Sequence, residues 1–186
     1  MLIKRLGDFF LDIIEVIVFA IAIFLFIYLL LVQPHKIKGD SMQPNYPNGE
    51  YLLTDKVTYR FKNPQRGDVI VFEAPGTNGD EYIKRIIGLP GEKIKIFQEK
   101  VYINGNPLKE DYLNQSIRTD PGSFLKDSLE VVIPPNNFIA LGDNRNASSD
   151  SRAWGFVPKE NIRGRAWFIY WPINSIGTTK HVTYNI

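Results

Sequence analysis

The 186-residue chain contains no cysteine and only two histidines, His35 and His181. Without cysteine there is no disulfide framework, no thiol nucleophile and no thiolate metal site, while the absence says little about compartment. Two isolated histidines do not make a histidine-held catalytic metal and leave an all-carboxylate site as the remaining metal option; no metal or other cofactor is expected. A Ser/His/Asp triad is disfavoured too, because one histidine lies beside an apolar run, the other lies in the tail, and no GxSxG elbow accompanies them. Charge of one sign is also missing: 22 basic and 20 acidic residues are dispersed and leave a net charge of +2. No block tracks a phosphate backbone, so nucleic acid is excluded as the expected partner. Internal repeats and low-complexity tracts are absent as well.

What the chain does have is enough apolar residues, 44%, for one core, plus an appended segment. From Ile13 to Val32 the run IIEVIVFAIAIFLFIYLLLV is apolar except for Glu15 and Tyr28. At a rise of about 1.5 Å per residue its length matches the hydrocarbon slab of about 30 Å, which predicts one transmembrane helix. Arg5, Asp8, Asp12 and Glu15 recur at spacings of three and four and predict a polar interfacial face on the first turns. The following LLLVQPHKIKG offers no small-x-small cleavage site, so the segment is expected to stay attached. Charge counting leaves orientation open, with Lys4 and Arg5 on one side against His35, Lys36 and Lys38 on the other.

Beyond Val32 the sequence shows short runs rich in Val, Ile, Phe and Tyr, bounded by Gly, Pro and Asn, rather than a long 3.6-residue period. The expected fold class is mainly β: an N-terminal transmembrane helix, then an all-β domain with a small irregular insertion. Strands are predicted at 50–57, 68–74, 82–88, 92–105 as a hairpin turning at Gln98 and Glu99, 128–134, 137–143 and 164–172, with one helical turn in PKENIRG. The expected division is an anchor over residues 1–34 and a β domain over 35–186, with the insertion at 106–130. Most of the large apolar side chains are assigned to the core, with lipid contact by some Phe, Ile and Trp residues as the alternative.

Three polar segments need more than a structural account. GDSMQPN, residues 39–45, follows the apolar run by seven residues and reads by itself as a loop of turn formers. YIKRIIG, 82–88, places a cation on each face of a strand, which ordinary lysine and arginine stems along an apolar surface explain equally well. GDNRNASSDSR, 142–152, is a loop holding more charge and hydroxyl than a connection needs.

Together, GDSMQP, GDVIVF, YIKRIIGLPGE and GDNRNASSDSR, in this order behind an uncleaved anchor, resemble the boxes of bacterial type I signal peptidase. The resemblance runs from about Glu15 to Pro172. It implies a membrane-bound serine endopeptidase that removes signal peptides from exported preproteins after small residues at the −1 and −3 positions. In the family's terms Ser41 is the nucleophile and Lys84 the general base, a dyad that works only if burial keeps the lysine neutral. The match assigns orientation of the base to Ser148, an ion pair shaping the loop to Asp150 and Arg152, and supporting places to Asp143, Arg145 and Met42. Gly142 stands where backbone approaches the site closely. Gly39 occupies the position from which some members supply an oxyanion hydroxyl, leaving backbone only, in the Gram-positive style. Asn45 and Tyr46 depart from the usual SMxPTL.

The resemblance also implies placement in the bacterial cytoplasmic membrane as a single-pass protein, with the amino terminus cytosolic and the β domain extracytoplasmic. Its implied partners are signal peptides, the lipid bilayer and, by proximity, the secretion translocon. The rival readings are another Ser/Lys processing protease and a membrane-tethered β module that binds without catalysis.

Overall fold

The computed structural model describes residues 2–114, 116–180, 182 and 184, so His181 lies outside the described residues. Helix α1 spans Leu2–Leu30. Its stretch Arg5–Tyr28 has a mean hydropathy of 2.8 and no buried residue, making it long and apolar enough to cross a membrane. A helix this apolar, with the described residues of that stretch all exposed, fits membrane anchoring.

The apolar run does not stay helical to Val32. The last helical bond, Leu31 N to the Ile27 carbonyl, is followed at once by strand β1, Val32–Lys36. Pro34 lacks the N–H a helix needs and disfavours helical geometry at Gln33. The freed segment pairs instead with β2, Tyr51–Asp55, from Val32 opposite Asp55 to Lys36 opposite Tyr51.

The remaining strands are β3 (Val69–Glu73), β4 (Glu81–Gly88), β5 (Lys93–Phe97), β6 (Lys100–Ile103), β7 (Asn106–Pro107), β8 (Val131–Val132), β9 (Asn137–Leu141), β10 (Val157–Pro158), β11 (Ile162–Trp171) and β12 (Gly177–Thr178). Two short helices, α2 (Thr58–Phe61) and α3 (Ser151–Trp154), interrupt them. One sheet runs β1-β2-β11-β3-β4-β9-β10 with β12 on β11, and a second runs β7-β6-β5-β8. The predicted mainly β architecture is present. The hairpin between β5 and β6 turns at Gln98 and Glu99, both in the left-handed region, with Phe97 opposite Lys100. The strand expected over 128–134 shrinks to two residues, and the turn in PKENIRG is a 3-10 turn at Lys159–Asn161.

Ten-residue β11 holds the large sheet together by pairing with β2 on one side and β3 on the other. Its register shifts against both neighbours, and such bulges bend a strand and let the sheet curl. Hydrophobic clusters then form on both faces of β4: Ile83 packs on the group holding Met42, Tyr46 and Val71, while Ile86 joins Ile70, Phe72 and Phe138. Ile87 joins a third cluster shared with β5, β6 and Leu125. The consequence decides the site, because Lys84 and Arg85 are both buried, at 4% and 2% exposure.

Not every large apolar residue entered the core. Trp167, Tyr170, Trp171, Ile173 and Ile176 stay exposed along the end of β11 and the segment that follows.

Candidate active site

Ser41 lies in the turn-rich segment between β1 and β2, which Gly39 enters with a φ of +87°. The segment is anchored by Met42, completely buried, and by the bond from Tyr46 N to the Met42 carbonyl. Lys84 sits mid-strand on β4, with Ile70 of β3 opposite it. This brings Lys84 Nζ to 2.8 Å from Ser41 Oγ and 2.9 Å from the Ile83 carbonyl oxygen. The Tyr82 ring centroid lies 5.2 Å from the amine.

Burial pulls the Lys84 pKa down from its ordinary 10.5 to about 8, against the opposing pull of the Asp150 and Asp143 carboxylates. At that value about one lysine in ten is neutral at pH 7, where a solvated lysine has fewer than about one in a thousand. With a neutral amine, the 2.8 Å contact is one in which the Ser41 hydroxyl donates to the Nζ lone pair.

The loop after β9 packs against this pair. Asn144 N donates to the Ser41 carbonyl and Asn144 Nδ2 to that of Asp40, at 3.0 and 3.1 Å. Gly142 is in close quarters: a Cβ there would stand 2.5 Å from both Ser148 Cβ and the Ser41 carbonyl oxygen. The Ser148 hydroxyl is buried and has no hydrogen-bond partner among the described residues, so the bond to the lysine that the resemblance implies is not formed in this state.

Asp150 caps α3 by accepting from Arg152 N, and it takes both the Nε and Nη2 donors of Arg152 at 2.8 and 2.9 Å. Its second oxygen also accepts from Gly142 N at 3.1 Å. This ion pair therefore fixes the backbone beside Ser148, whose carbonyl receives a further Arg152 donor.

Asp143 and Arg145 do not pair with each other. Asp143 accepts from Arg85 Nε at 2.9 Å and Nη2 at 2.6 Å, both side chains being buried. Burial works against the Arg85 charge, and the Asp143 bonds and charge more than offset it, leaving the guanidinium pKa above its ordinary value. Arg145 reaches into residues 106–130 instead, donating to Glu110, Thr119 and the Tyr112 hydroxyl. Arg85, Glu110 and Tyr112 escaped the sequence reading. Only the double cation of YIKRIIG hinted at Arg85, and nothing local marks Glu110. Asn45, the departure from SMxPTL, donates to Asp143 Oδ2 at 3.0 Å and so joins the Arg85 network.

A groove of about 540 Å³ opens over the pair, with Ile37, Gly39, Leu52, Val71, Tyr82 and Ile83 among its walls. Both Ser41 and Lys84 line it, between the chain leaving β1 and the start of β4. A serine hydroxyl in contact with a desolvated amine beside an extended cleft is an arrangement capable of acyl transfer to serine.

Residues 10–171 match the family model described as "Signal peptidase, peptidase S26". The chain belongs to this family. It is 35% identical to signal peptidase IB of Staphylococcus aureus (strain COL) over 155 residues, covering 77% of this chain and 80% of the relative. Signal peptidase I of Leptolyngbya laminosa is 40% identical over 149 residues, 76% of this chain and 70% of the relative. The crystal structure of a signal peptidase I from Enterococcus faecalis V583 aligns with a TM-score of 0.47 at 34% identity, covering 56% of this chain and 97% of that one. Membership in the signal peptidase family supports signal-peptide removal by a serine protease and does not favour a β module that only binds.

Proposed function

We propose that the chain is a single-pass membrane endopeptidase in which Ser41 and Lys84 carry out signal-peptide cleavage. The observation that carries the reading is the 2.8 Å contact between Ser41 Oγ and an Nζ whose pKa burial brings to about 8. A signal peptide lies in the groove as an added strand, and two small side chains, at −1 and −3, face the apolar walls near Ile37, Leu52 and Ile83.

Ser41 Oγ attacks the scissile carbonyl carbon while its proton passes to Lys84 Nζ. The oxyanion takes the Ser41 backbone N–H, since Gly39 supplies no hydroxyl. As the C–N bond breaks, the Lys84 ammonium protonates the departing amine of the mature protein, and the signal peptide remains as an ester on Ser41. Water then loses a proton to Lys84 and attacks the ester, releasing the signal peptide acid and restoring the serine. Ser148 turns its unpartnered hydroxyl to the lysine as this cycle proceeds, and Asp150, Arg152, Asp143, Arg145 and Met42 hold the surrounding backbone.

The amino terminus lies in the cytosol and the β domain outside it, in a bacterial cytoplasmic membrane near the secretion translocon. The exposed Trp167, Trp171, Ile173 and Ile176 rest against lipid. The test is incubation of the detergent-solubilised full chain with a preprotein bearing an Ala-x-Ala site, followed by sequencing of the new amino terminus. Cutting after the second Ala supports the proposal; an intact preprotein, or a cut elsewhere, overturns it.

A further inference from the structure

The departure from SMxPTL at residue 45 puts an amide where that pattern has a threonine hydroxyl. Asn45 Nδ2 lies 3.0 Å from Asp143 Oδ2 and 3.3 Å from the Tyr112 carbonyl oxygen, so each of its two hydrogens has an acceptor. A threonine hydroxyl has one hydrogen to give. Asn45 therefore ties together two elements that a single hydroxyl cannot tie at once, the loop after β9 and the insertion at 106–130.

Asp143 is the charge at this junction. It is wholly buried and accepts from Arg85 Nε on one oxygen and from Arg85 Nη2 and Asn45 Nδ2 on the other. The Tyr112 ring covers the same guanidinium, its centroid 4.4 Å from Arg85 Cζ. Asn45, Asp143, Arg85 and Tyr112 thus close a ring, and Asn45 is its most exposed member. The ring meets the nucleophile, because Asp143 and Asn144 grip the turn around Ser41 at three points: Asn144 N on the Ser41 carbonyl, Asn144 Nδ2 on the Asp40 carbonyl, and Asp143 on the Asn45 amide. Both flanks of Ser41 are held. The ring also meets the base, since Arg85 follows Lys84 on β4 and the Asp143 charge pulls the Lys84 pKa upward against burial. Asn45 does not line the groove.

We infer that Asn45 is a positioning residue for the cleavage reaction, which locks the Ser41 turn and the 106–130 insertion onto Asp143. The inference rests on the reading that Ser41 and Lys84 form the catalytic dyad. Through Asp143 one amide reaches both halves of that dyad, and it does so from outside the groove in which the signal peptide lies. Its loss acts on turnover rather than on substrate binding.

Steady-state cleavage of an Ala-x-Ala preprotein by the detergent-solubilised full chain, over about pH 6–10, tests it on the wild type, Asn45→Ala, Asn45→Thr and Asn45→Asp. Circular dichroism and thermal unfolding check each variant. Asn45→Ala is expected to lower kcat about tenfold at unchanged KM, the effect of losing a bond to a charged group and shifting the nucleophile. Asn45→Thr is expected to recover most of that rate, because one donor remains for Asp143, while protease nicking within 106–130 stays as fast as in Asn45→Ala. Asn45→Asp sets a second carboxylate against Asp143, which favours the charged form of Lys84 and is expected to move the rising limb of kcat/KM to higher pH. Wild-type kcat in Asn45→Ala overturns the inference, as does a loss that tracks thermal stability while the limb of Asn45→Asp stays in place. Ser41→Ala and Lys84→Ala, run alongside, separate the two readings. A wild type that does not cut, or a dyad variant that does, removes the dyad reading and this inference with it. Silent dyad variants beside Asn45 variants that match the wild type remove this inference alone.

Discussion

Lys84 Nζ stands 2.8 Å from Ser41 Oγ although 43 residues separate them in the chain. The contact exists because β4 is covered on both faces, so a lysine at its centre keeps only 4% exposure and finds a hydroxyl and a carbonyl in place of most of its water. Desolvation lowers the lysine's basicity, and the same burial aims it at the Ser41 hydroxyl.

Cleavage rate is expected to rise with pH as Lys84 loses its proton near pH 8. Between pH 7 and pH 9 the neutral fraction climbs about tenfold, and kcat/KM for a preprotein follows it. A profile flat across this range shows that the titration of Lys84 does not govern catalysis.

The same displacement has a stability signature. Lys84 has a folded pKa of about 8 against an ordinary 10.5, so between these values the unfolded chain binds more protons and stability rises with pH. Below pH 8 burying the ammonium costs up to about 3 kcal/mol, because lowering a pKa by a factor of ten in acidity is worth about 1.4 kcal/mol. Lys84→Met removes that cost. Denaturant unfolding is expected to show the variant more stable than wild type at pH 7, with the gap closing as pH rises through 8 to 10.5.

Gly142→Ala and Ser148→Ala separate space from hydrogen bonding. An added methyl at Gly142 collides with Ser148 and with the Ser41 carbonyl, and overpacking of this kind costs about 1–3 kcal/mol while displacing the nucleophile. Loss of both stability and activity is expected. Ser148→Ala adds no atoms and removes a hydroxyl with no hydrogen-bond partner among the described residues. Stability is expected to hold while kcat falls about tenfold, the value of one hydrogen bond gained during turnover. KM stays the same. Thermal unfolding and steady-state kinetics on both variants provide the readout.

Glu110 is a partner of Arg145, whose side chain is fully buried, while Glu110 is 12% exposed. Glu110→Ala leaves that guanidinium with Thr119, the Tyr112 hydroxyl and the Gly142 carbonyl, and breaking a buried pair in this way costs about 3–5 kcal/mol. Protease nicking within 106–130 is expected to accelerate, with a fall in thermal stability measured alongside.

The strands, and the two segments that bring Ser41 and Lys84 into contact, were legible because their signals are local: period-two apolar patterning for the strands, and ordered boxes around Ser41 and Lys84. The end of α1 was misplaced because apolar content continues through Val32 while Pro34 and pairing with β2 decide the conformation. Arg85 looked like half of an ambiguity, since alternation puts Lys84 and Arg85 on opposite faces and one face was expected to meet water. Curling of the sheet along β11 covered both, and no single strand encodes that. Glu110 lies 35 residues from Arg145, and no local pattern in the sequence links the two.

The most direct measurement is the cleavage rate of a preprotein by the full chain as wild type, Ser41→Ala and Lys84→Ala, with folding of each variant checked by circular dichroism. The account predicts cutting by the wild type and none above background by either folded variant. Wild-type rates from Ser41→Ala or Lys84→Ala contradict the dyad.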